Sequence, residues 1–411
     1  MGREAGSRGS DSPSGVGRVG RDRPRGVATA IALAGLLAWA LAFTGCGERT
    51  PGITDCLPRN GLKPICLFRG PEDLAVVGRW LVVSQMPTRE KPGNLIAFHP
   101  GTRTFRKLYP PASDALGTLP AAASVAPAGS AGGDAHDAGC AAGQPPPFDD
   151  FAPHGIDAMG TRLLVINHGR REAIEEFEIS LDATGLVLVW KSCTRLPEDA
   201  SANDVVALED GGFAASKMLA RPLWRSLVPL LLGMDTGALL RFDPKARTWS
   251  ALANSAGRAP NGVEVDAEGR FWMAEWRGGR LVRLSPDGSS RESVELDFSP
   301  DNLAWAPDGR LLVAGQRGGL LELPRCATTT EGSCSMPSVV VAVDPGTLAV
   351  ELLVDEDPAT VIGAASIAVE LEGKLYIGSF AGNRLVERDL GRQGLDGEVD
   401  RTWKRSSSNV P

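Results

Sequence analysis

Histidine is scarce in this chain, with four residues in 411. Acid–base chemistry near neutral pH therefore has few candidates. Cysteine is also sparse. None of the seven forms a C-x-x-C pair, which argues against a zinc cluster. H-E-x-x-H is absent, which excludes a zincin, and no G-x-S-x-G elbow occurs to present a serine nucleophile. Positive charge is not in excess: 43 Lys and Arg stand against 50 Asp and Glu, a net charge of −7. Nucleic acid, which wants a basic face, is not an expected partner. Helical periodicity is rare too. Short strand-like runs are broken instead by 49 Gly and 30 Pro, as in a turn-rich all-β chain.

The first 45 residues read as an address. Six Arg and three acidic residues precede Gly26, and an apolar run of 17 residues, Val27 to Phe43, follows. That run is short for a membrane span and right for the core of a signal peptide. Thr44-Gly45-Cys46 comes next and resembles the lipobox of bacterial lipoproteins, in which the Cys becomes the lipid-modified first residue. Phe43 stands where Leu is usual. A plain secretory signal and a retained anchor are the alternatives, and all three place the body outside the cytoplasm. Removing a leader of net +3 leaves a body near −10, a balance that suits a cation-binding domain. With Cys46 set aside for lipid, six cysteines remain, an even number that favours disulfides in an exported protein. Cys56 with Cys66 and Cys326 with Cys334 each span a short loop, which would leave Cys140 with Cys193. Six cysteines allow fifteen connectivities.

A short phrase recurs six times: Pro71-Glu72-Asp73-Leu74, Pro153-His154-Gly155-Ile156, Ala202-Asn203-Asp204-Val205, Pro260-Asn261-Gly262-Val263, Pro300-Asp301-Asn302-Leu303 and Ala364-Ala365-Ser366-Ile367. Each runs into a strand, a turn such as Asp266-Ala267-Glu268-Gly269, and a second strand such as Phe271-Trp272-Met273-Ala274. Arg162 to Ile166, Glu175 to Ile179 and Leu186 to Trp190 read as the later strands of one repeat. The spacings between openings are 82, 49, 58, 40 and 64 residues. About 40 to 60 residues is the length of a four-stranded propeller blade. The expected fold is therefore all-β, one six-bladed β-propeller over 66–400, preceded by a signal at 1–45 and a tether at 46–65 and followed by a tail at 401–411. Residues 116–147, rich in Ala, Gly, Ser and Pro, cannot bury a core and read as a floppy surface loop, so His136 within it is discounted. Met218 to Met234 is an apolar insertion carrying Arg221 and Arg225. It reads as a packed cover, or as an interfacial helix that touches lipid or walls a substrate pocket. Pro222 and Pro229 limit any helix there to short pieces.

Innermost strands of a propeller line its axis, so Glu72, Asn203, Asn261, Asp301 and Asn302 should converge. They offer only carboxylate and amide oxygens, and hard oxygen donors with two negative charges suit calcium, not zinc. Any one such pair is an ordinary turn sequence. The same register in five repeats is not, because the hairpin turns carry their own turn residues, such as Asp308-Gly309.

The phrases Gly70-Pro71-Glu72-Asp73-Leu74, Pro153-His154-Gly155-Ile156, Val165-Ile166-Asn167-His168, Asn203-Asp204-Val205-Val206-Ala207 and Asn261-Gly262 resemble the paraoxonase/arylesterase family. These are calcium-dependent lactonases and esterases on a six-bladed propeller, within a wider gluconolactonase-like and strictosidine-synthase-like group. The resemblance covers about residues 65–390 and keeps the order of the motifs. It implies two calcium ions: a catalytic one held by Glu72, Asn203, Asn261, Asp301 and Asn302, and a structural one held by Asp73, Asp204 and the backbone carbonyl of Ile156. It also implies a histidine pair, His154 and His168. Three features depart from the family, one being the Ala/Pro-rich insertion at 116–147, which has no counterpart there. Cys66 matches the first half of its disulfide, but Arg384-Leu385-Val386-Glu387 offers no partner. Gln316 falls where animal members carry a pocket histidine.

The expected function is hydrolysis of lactones or aryl esters. Calcium would polarise the carbonyl, and His154, titrating near working pH, would take a proton from water with His168 orienting or relaying. The alternatives are a calcium-pinned propeller that only binds a partner, and a gluconolactonase-like sugar-lactone hydrolase using the metal alone. A small-molecule lactone or ester is the expected partner. Membrane contact is expected through lipid on Cys46 and through 218–234.

Overall fold

The computed structural model describes residues 52–111, 140, 144–183, 185–320 and 322–391. Twenty-four strands, β1 to β24, form six four-stranded antiparallel sheets. Blade one is β2 (Pro71–Val77), β3 (Trp80–Gln85), β4 (Asn94–His99) and β5 (Thr104–Tyr109). Blade two is β6 (Pro153–Met159), β7 (Arg162–Asn167), β8 (Ala173–Asp182) and β9 (Gly185–Arg195). Blade three is β10 (Ala200–Ala207), β11 (Phe213–Ala220), β12 (Ala238–Asp243) and β13 (Thr248–Ala251). Blade four is β14 (Pro260–Val265), β15 (Phe271–Glu275), β16 (Arg280–Leu284) and β17 (Arg291–Glu295). Blade five is β18 (Ser299–Trp305), β19 (Leu311–Gln316), β20 (Ser338–Val343) and β21 (Val350–Glu356). Blade six is β22 (Ala365–Leu371), β23 (Lys374–Ser379), β24 (Leu385–Asp389) and, on its outer edge, β1 (Leu62–Ile65). Each first strand packs against the first strand of the next blade, and β2 against β22, which closes the ring. The fold is a six-bladed β-propeller.

Both faces of a blade are buried against neighbours, so its middle strands read as continuous apolar runs, not as alternating ones. In β7, Leu163 and Val165 face the core shared with blade one, while Leu164 and Ile166 face the core shared with blade three. All four are fully buried. Truncating any of the three Leu or Ile side chains to Ala would cost about 2–5 kcal/mol.

Ring closure differs from the expected boundary. Residues 62–65 are not tether but a strand, paired from Leu62 with Arg388 to Ile65 with Leu385. The propeller therefore begins at Leu62, and its seam is a hydrogen-bonded ladder. Such a ladder satisfies an edge that would otherwise stay open. Cys66 pairs with Cys56, Cys140 with Cys193 and Cys326 with Cys334. No disulfide joins the last strand to the first blade, so the seam among the described residues is non-covalent. The leader with Cys46, nearly all of 116–147 with His136, and the tail at 401–411 lie outside the described residues.

Each of the six recurrent phrases is a β-bulge. The ladder to the second strand slips between Pro71 and Asp73, Pro153 and Ile156, Ala202 and Val205, Pro260 and Val263, Pro300 and Leu303, and Ala365 and Ile367. A bulge puts an extra residue on one strand and re-aims its side chain. Here it turns the polar residues of the opening toward the axis. Gly155 and Gly262 let adjacent bulges touch. A Cβ on Gly155 would lie 2.4 Å from Asp204 Oδ1, and one on Gly262 would lie 2.5 Å from the carbonyl oxygen of Asp301.

Candidate functional site: an oxygen-lined floor beside a histidine pair

Glu72, Asn203, Asn261, Asp301 and Asn302 are all buried at the bulged end of the ring. Asn302 Nδ2 donates to Glu72 Oε1 at 2.7 Å, and Gln316 Nε2 donates to Asp301 Oδ2 at 2.5 Å. Asn261 also hydrogen-bonds to Asp301. Asn203 Nδ2 points at Met218 Sδ, 3.5 Å away. A carboxylate can only accept, so it must meet the amide nitrogen of Asn302, which turns the amide oxygen away. The result is four buried oxygens with no partner: Glu72 Oε2, Asn203 Oδ1, Asn261 Oδ1 and Asn302 Oδ1. Buried acceptors are normally satisfied, and four orphans in one place call for a positively charged group. Burial, and then Asp301, hold Glu72 well above the usual carboxylate range, and burial pushes Asp301 up to about 7. A divalent cation would relieve both. The donor set fits a hard cation such as calcium. Among the described residues, no three His, Cys, Asp or Glu side chains are arranged to hold a metal. This floor has two carboxylates, and amide oxygens supply the rest.

The second set, Asp73 with Asp204, is built differently. Asp73 accepts from the N–H groups of Leu74 and Ile156 at 2.8 and 2.6 Å. Asp204 accepts from Val205 and Val263 at 2.7 and 2.8 Å. These bonds staple blade one to two and blade three to four. Every one of the four oxygens has a partner, so nothing here is orphaned. Burial pushes both groups up, with Glu72 adding to Asp73 and Asp73 adding to Asp204. That repulsion, and the spare lone pairs of a carboxylate, leave room for a cation, but the fit is weaker than on the floor.

His154 enters from the bulge of β6. Its Nε2 lies 3.5 Å from Glu72 Oε1, and its ring meets that of His168 edge to face, with centroids 5.1 Å apart. Burial, with His168 beside it, pushes His154 down to about 3. Burial therefore favours its neutral, proton-accepting form. His168 follows β7, and its Nδ1 lies 2.8 Å from Glu172 Oε2. Glu172 in turn makes an ion pair with Arg221.

Several supporting residues carry no repeat signal. Gln316 is one: its Nε2 also donates to the Ala365 carbonyl at 2.7 Å, and its Oε1 accepts from Trp276 Nε1 at 3.0 Å. It braces Asp301 against blade six. The sixth opening donates no orphaned oxygen, but Ser366 Oγ donates to the Glu72 carbonyl at 2.5 Å and so holds that residue's backbone. Glu172 sits in a loop with no repeat to mark it.

The insertion at Met218 to Met234 folds over the rim at the bulged end, between β11 and β12. Its helix, α1 (Trp224–Leu231), buries only Ser226, whose Oγ accepts from the Ala220 N–H at 2.8 Å. Leu223, Trp224, Leu227, Val228, Leu231, Leu232 and Met234 are each more than half exposed. The helix is therefore a free apolar surface and not a packed cover. No helix among the described residues is long and apolar enough to cross a membrane. A cavity of about 530 Å³ opens at the other end of the strands, around Leu208, Asp210 and Asp266. Asp266 there is already satisfied by Arg270 and Trp272, so this cavity carries no unpaired chemistry comparable to the floor.

Residues 241–313 match the family model described as the SMP-30/gluconolactonase/LRE-like region. That stretch contains Asn261, Asp301 and Asn302. L-arabinolactonase of Azospirillum brasilense is 40% identical over 62 residues, which is 15% of this chain and 21% of that one. The 6-deoxy-6-sulfogluconolactonase of Pseudomonas putida is 41% identical over 45 residues, 11% of this chain and 16% of that one. The matched stretches thus span about a fifth of the length of these curated relatives. Among solved structures, a gluconolactonase from Xanthomonas campestris has 17% identity and a TM-score of 0.46, covering 83% of this chain and 98% of that one.

Proposed function

We propose that this protein is a calcium-dependent hydrolase of lactones. The observation that carries the reading is the set of four partnerless oxygens, on Glu72, Asn203, Asn261 and Asn302, beside Asp301 and next to a histidine pair. The local match to a lactonase family over three of these residues supports a cyclic ester, and it favours a sugar lactone over an aryl ester as first substrate. Aryl esters remain the wider class that the same chemistry reaches. The floor residues would hold one calcium. Asp73, Asp204 and the Ile156 carbonyl would hold a second. When bound, the floor cation supplies a Lewis acid for the ester carbonyl.

The remaining chemistry belongs to the chain. His154 is neutral and offers a lone pair at the floor. It takes a proton from the attacking water as the new C–O bond forms at the acyl carbon. It returns that proton to the ring oxygen as the old C–O bond breaks, giving a hydroxy acid. Met218, against Asn203, walls one side. The test is turnover of a sugar δ-lactone and of phenyl acetate, with and without chelator, in wild type and His154→Gln. The expected result is turnover lost in chelator and reduced by about 10²-fold or more in the variant. Undiminished turnover in chelator overturns the calcium reading, and an unaffected variant removes the histidine.

We further propose that the protein works at a membrane surface outside the cytoplasm. Three disulfides suit an oxidising compartment. The exposed apolar α1 lies at the bulged end, where Ala220 pairs with Ala200. Ile53 bridges to Ser333 in the β19–β20 connection, which lies at that same end. A lipid on Cys46 and the exposed apolar helix would be two separate membrane contacts. Flotation with vesicles should be lost stepwise in Cys46→Ser and Trp224→Asp, and retention by the double variant would end this placement.

A further inference from the structure

We propose that Glu172 is the positioning residue of the histidine pair, fixing the tautomer of His168, and that Arg221 at the root of α1 holds Glu172 in register. The role rests on the hydrolase reading above, and the placement rests on geometry alone. Glu172 Oε2 lies 2.8 Å from His168 Nδ1, and its Oε1 pairs with Arg221 Nη1. Each carboxylate oxygen thus has one task. A carboxylate accepts only, so His168 must carry its hydrogen on Nδ1. Nε2 is then the lone pair that can accept a proton. The perpendicular His154 ring stands 5.1 Å away, within reach of a direct or water-bridged transfer.

The alternative is a part-buried ion pair that only holds the loop. The loop's own architecture argues against it. Glu175, three residues on, is fully buried and takes hydrogen bonds from Asn167, Arg171 and Trp190. Asn167 Oδ1 accepts the Ala152 and Gly169 N–H groups at 3.0 Å each, and the His168 N–H donates to the Ala152 carbonyl at 2.9 Å. Glu175 and Asn167 therefore hold the backbone around His168. The Glu172 side chain is left to the imidazole, as a carboxylate behind a histidine sets its tautomer and orientation. Arg221 comes from another blade, so the register of Glu172 is set by a residue that continues directly into the apolar helix.

The experiment uses the full protein and the variants Glu172→Gln, Glu172→Asp and Arg221→Gln. Nitrogen-15 NMR of the imidazoles reads the tautomer without any turnover, and lactone kinetics and melting temperature are read in parallel. Glu172→Gln should move His168 off the pure Nδ1–H form and lower kcat by about 10- to 100-fold, with KM changed less than about twofold. Its melting temperature should stay within a few degrees. Glu172→Asp should recover the tautomer and much of kcat, and Arg221→Gln should show a weaker form of the same defect. An unchanged His168 tautomer in Glu172→Gln overturns the proposal. So does a loss of melting temperature that parallels the loss of kcat with no rescue by Glu172→Asp. If the wild type turns over no lactone, the hydrolase reading fails, and the tautomer still decides the positioning role.

Discussion

Glu72 and Asp73 are adjacent in one bulge, and Asn203 and Asp204 in another, yet the two neighbours in each bulge do opposite work. Asp73 and Asp204 have every oxygen on a backbone N–H of their own or the next blade. Glu72 and Asn203 each keep an oxygen with no partner at all. The first pair spends its acceptors on the protein, and the second keeps them for something outside it. A strand turns successive side chains to opposite sides, and the bulge sharpens that split. One repeated phrase thus yields a structural staple and a ligand floor side by side.

The largest effect that tests this contrast is on turnover. Glu72→Gln should lower lactone turnover by about 10²–10³-fold, the scale of losing an electrostatic stabiliser of the reacting carbonyl. Its stability in chelator, followed by urea unfolding, should be equal to wild type or higher, because a desolvated charge has gone. Asp204→Ala should do the reverse first. It strands the N–H groups of Val205 and Val263 at a cost of about 1–3 kcal/mol each. If Glu72→Gln in chelator loses as much stability as Asp204→Ala, the two sets are not different in kind.

A calcium titration of the chelated protein sharpens the contrast next. The melting temperature should rise, with a gain of about 2.7 kcal/mol at one hundred times the Kd of the floor. Glu72→Gln should abolish that rise. A second, separate phase that Asp73→Asn removes would show that the staples also hold a cation. Its absence would leave them purely structural.

The smallest effect is on pH dependence in chelator. Folded Asp301 keeps its proton up to about 7, whereas its ordinary value is 3.8. The folded state therefore binds more protons between these values, and stability falls as pH rises from about 4 to about 7. Glu72, Asp73 and Asp204 are shifted in the same direction. His154 has the opposite sign: folded, it stays neutral down to about 3, against an ordinary 6.5, so its part of the stability is lost as pH falls through that window. His154→Gln should therefore show a steeper fall with rising pH than the wild type. Saturating calcium should flatten the part due to Glu72 and Asp301. An identical slope in the two proteins would mean that His154 is not buried as described.

Much of this was legible along the chain. The six openings and their spacing announced the propeller, because each blade must start its inner strand in the same way. That the five polar residues Glu72, Asn203, Asn261, Asp301 and Asn302 share one end of the ring was legible for the same reason, since a repeat carries its register with it. Gln316 looked like a mere departure because its partners, Trp276, Asp301 and Ala365, come from blades four, five and six. The seam strand Leu62–Ile65 was read as tether because four residues, only one of them fully buried, carry little pattern. Exposure of α1 could not be read either: an apolar segment looks alike whether it is covered or bare.

Local pattern was enough for the blade count, the polar register and the oxygen-rich chemistry of the floor, because these repeat with the chain and depend on neighbours in sequence. Three-dimensional packing was needed to leave Glu72 Oε2 orphaned while satisfying Asp73, to push His154 down by burial, and to set Glu172 against His168 with Arg221 behind it. Those outcomes depend on which groups from distant blades share a dry space, and whether an oxygen is partnered there is a property of the assembled ring.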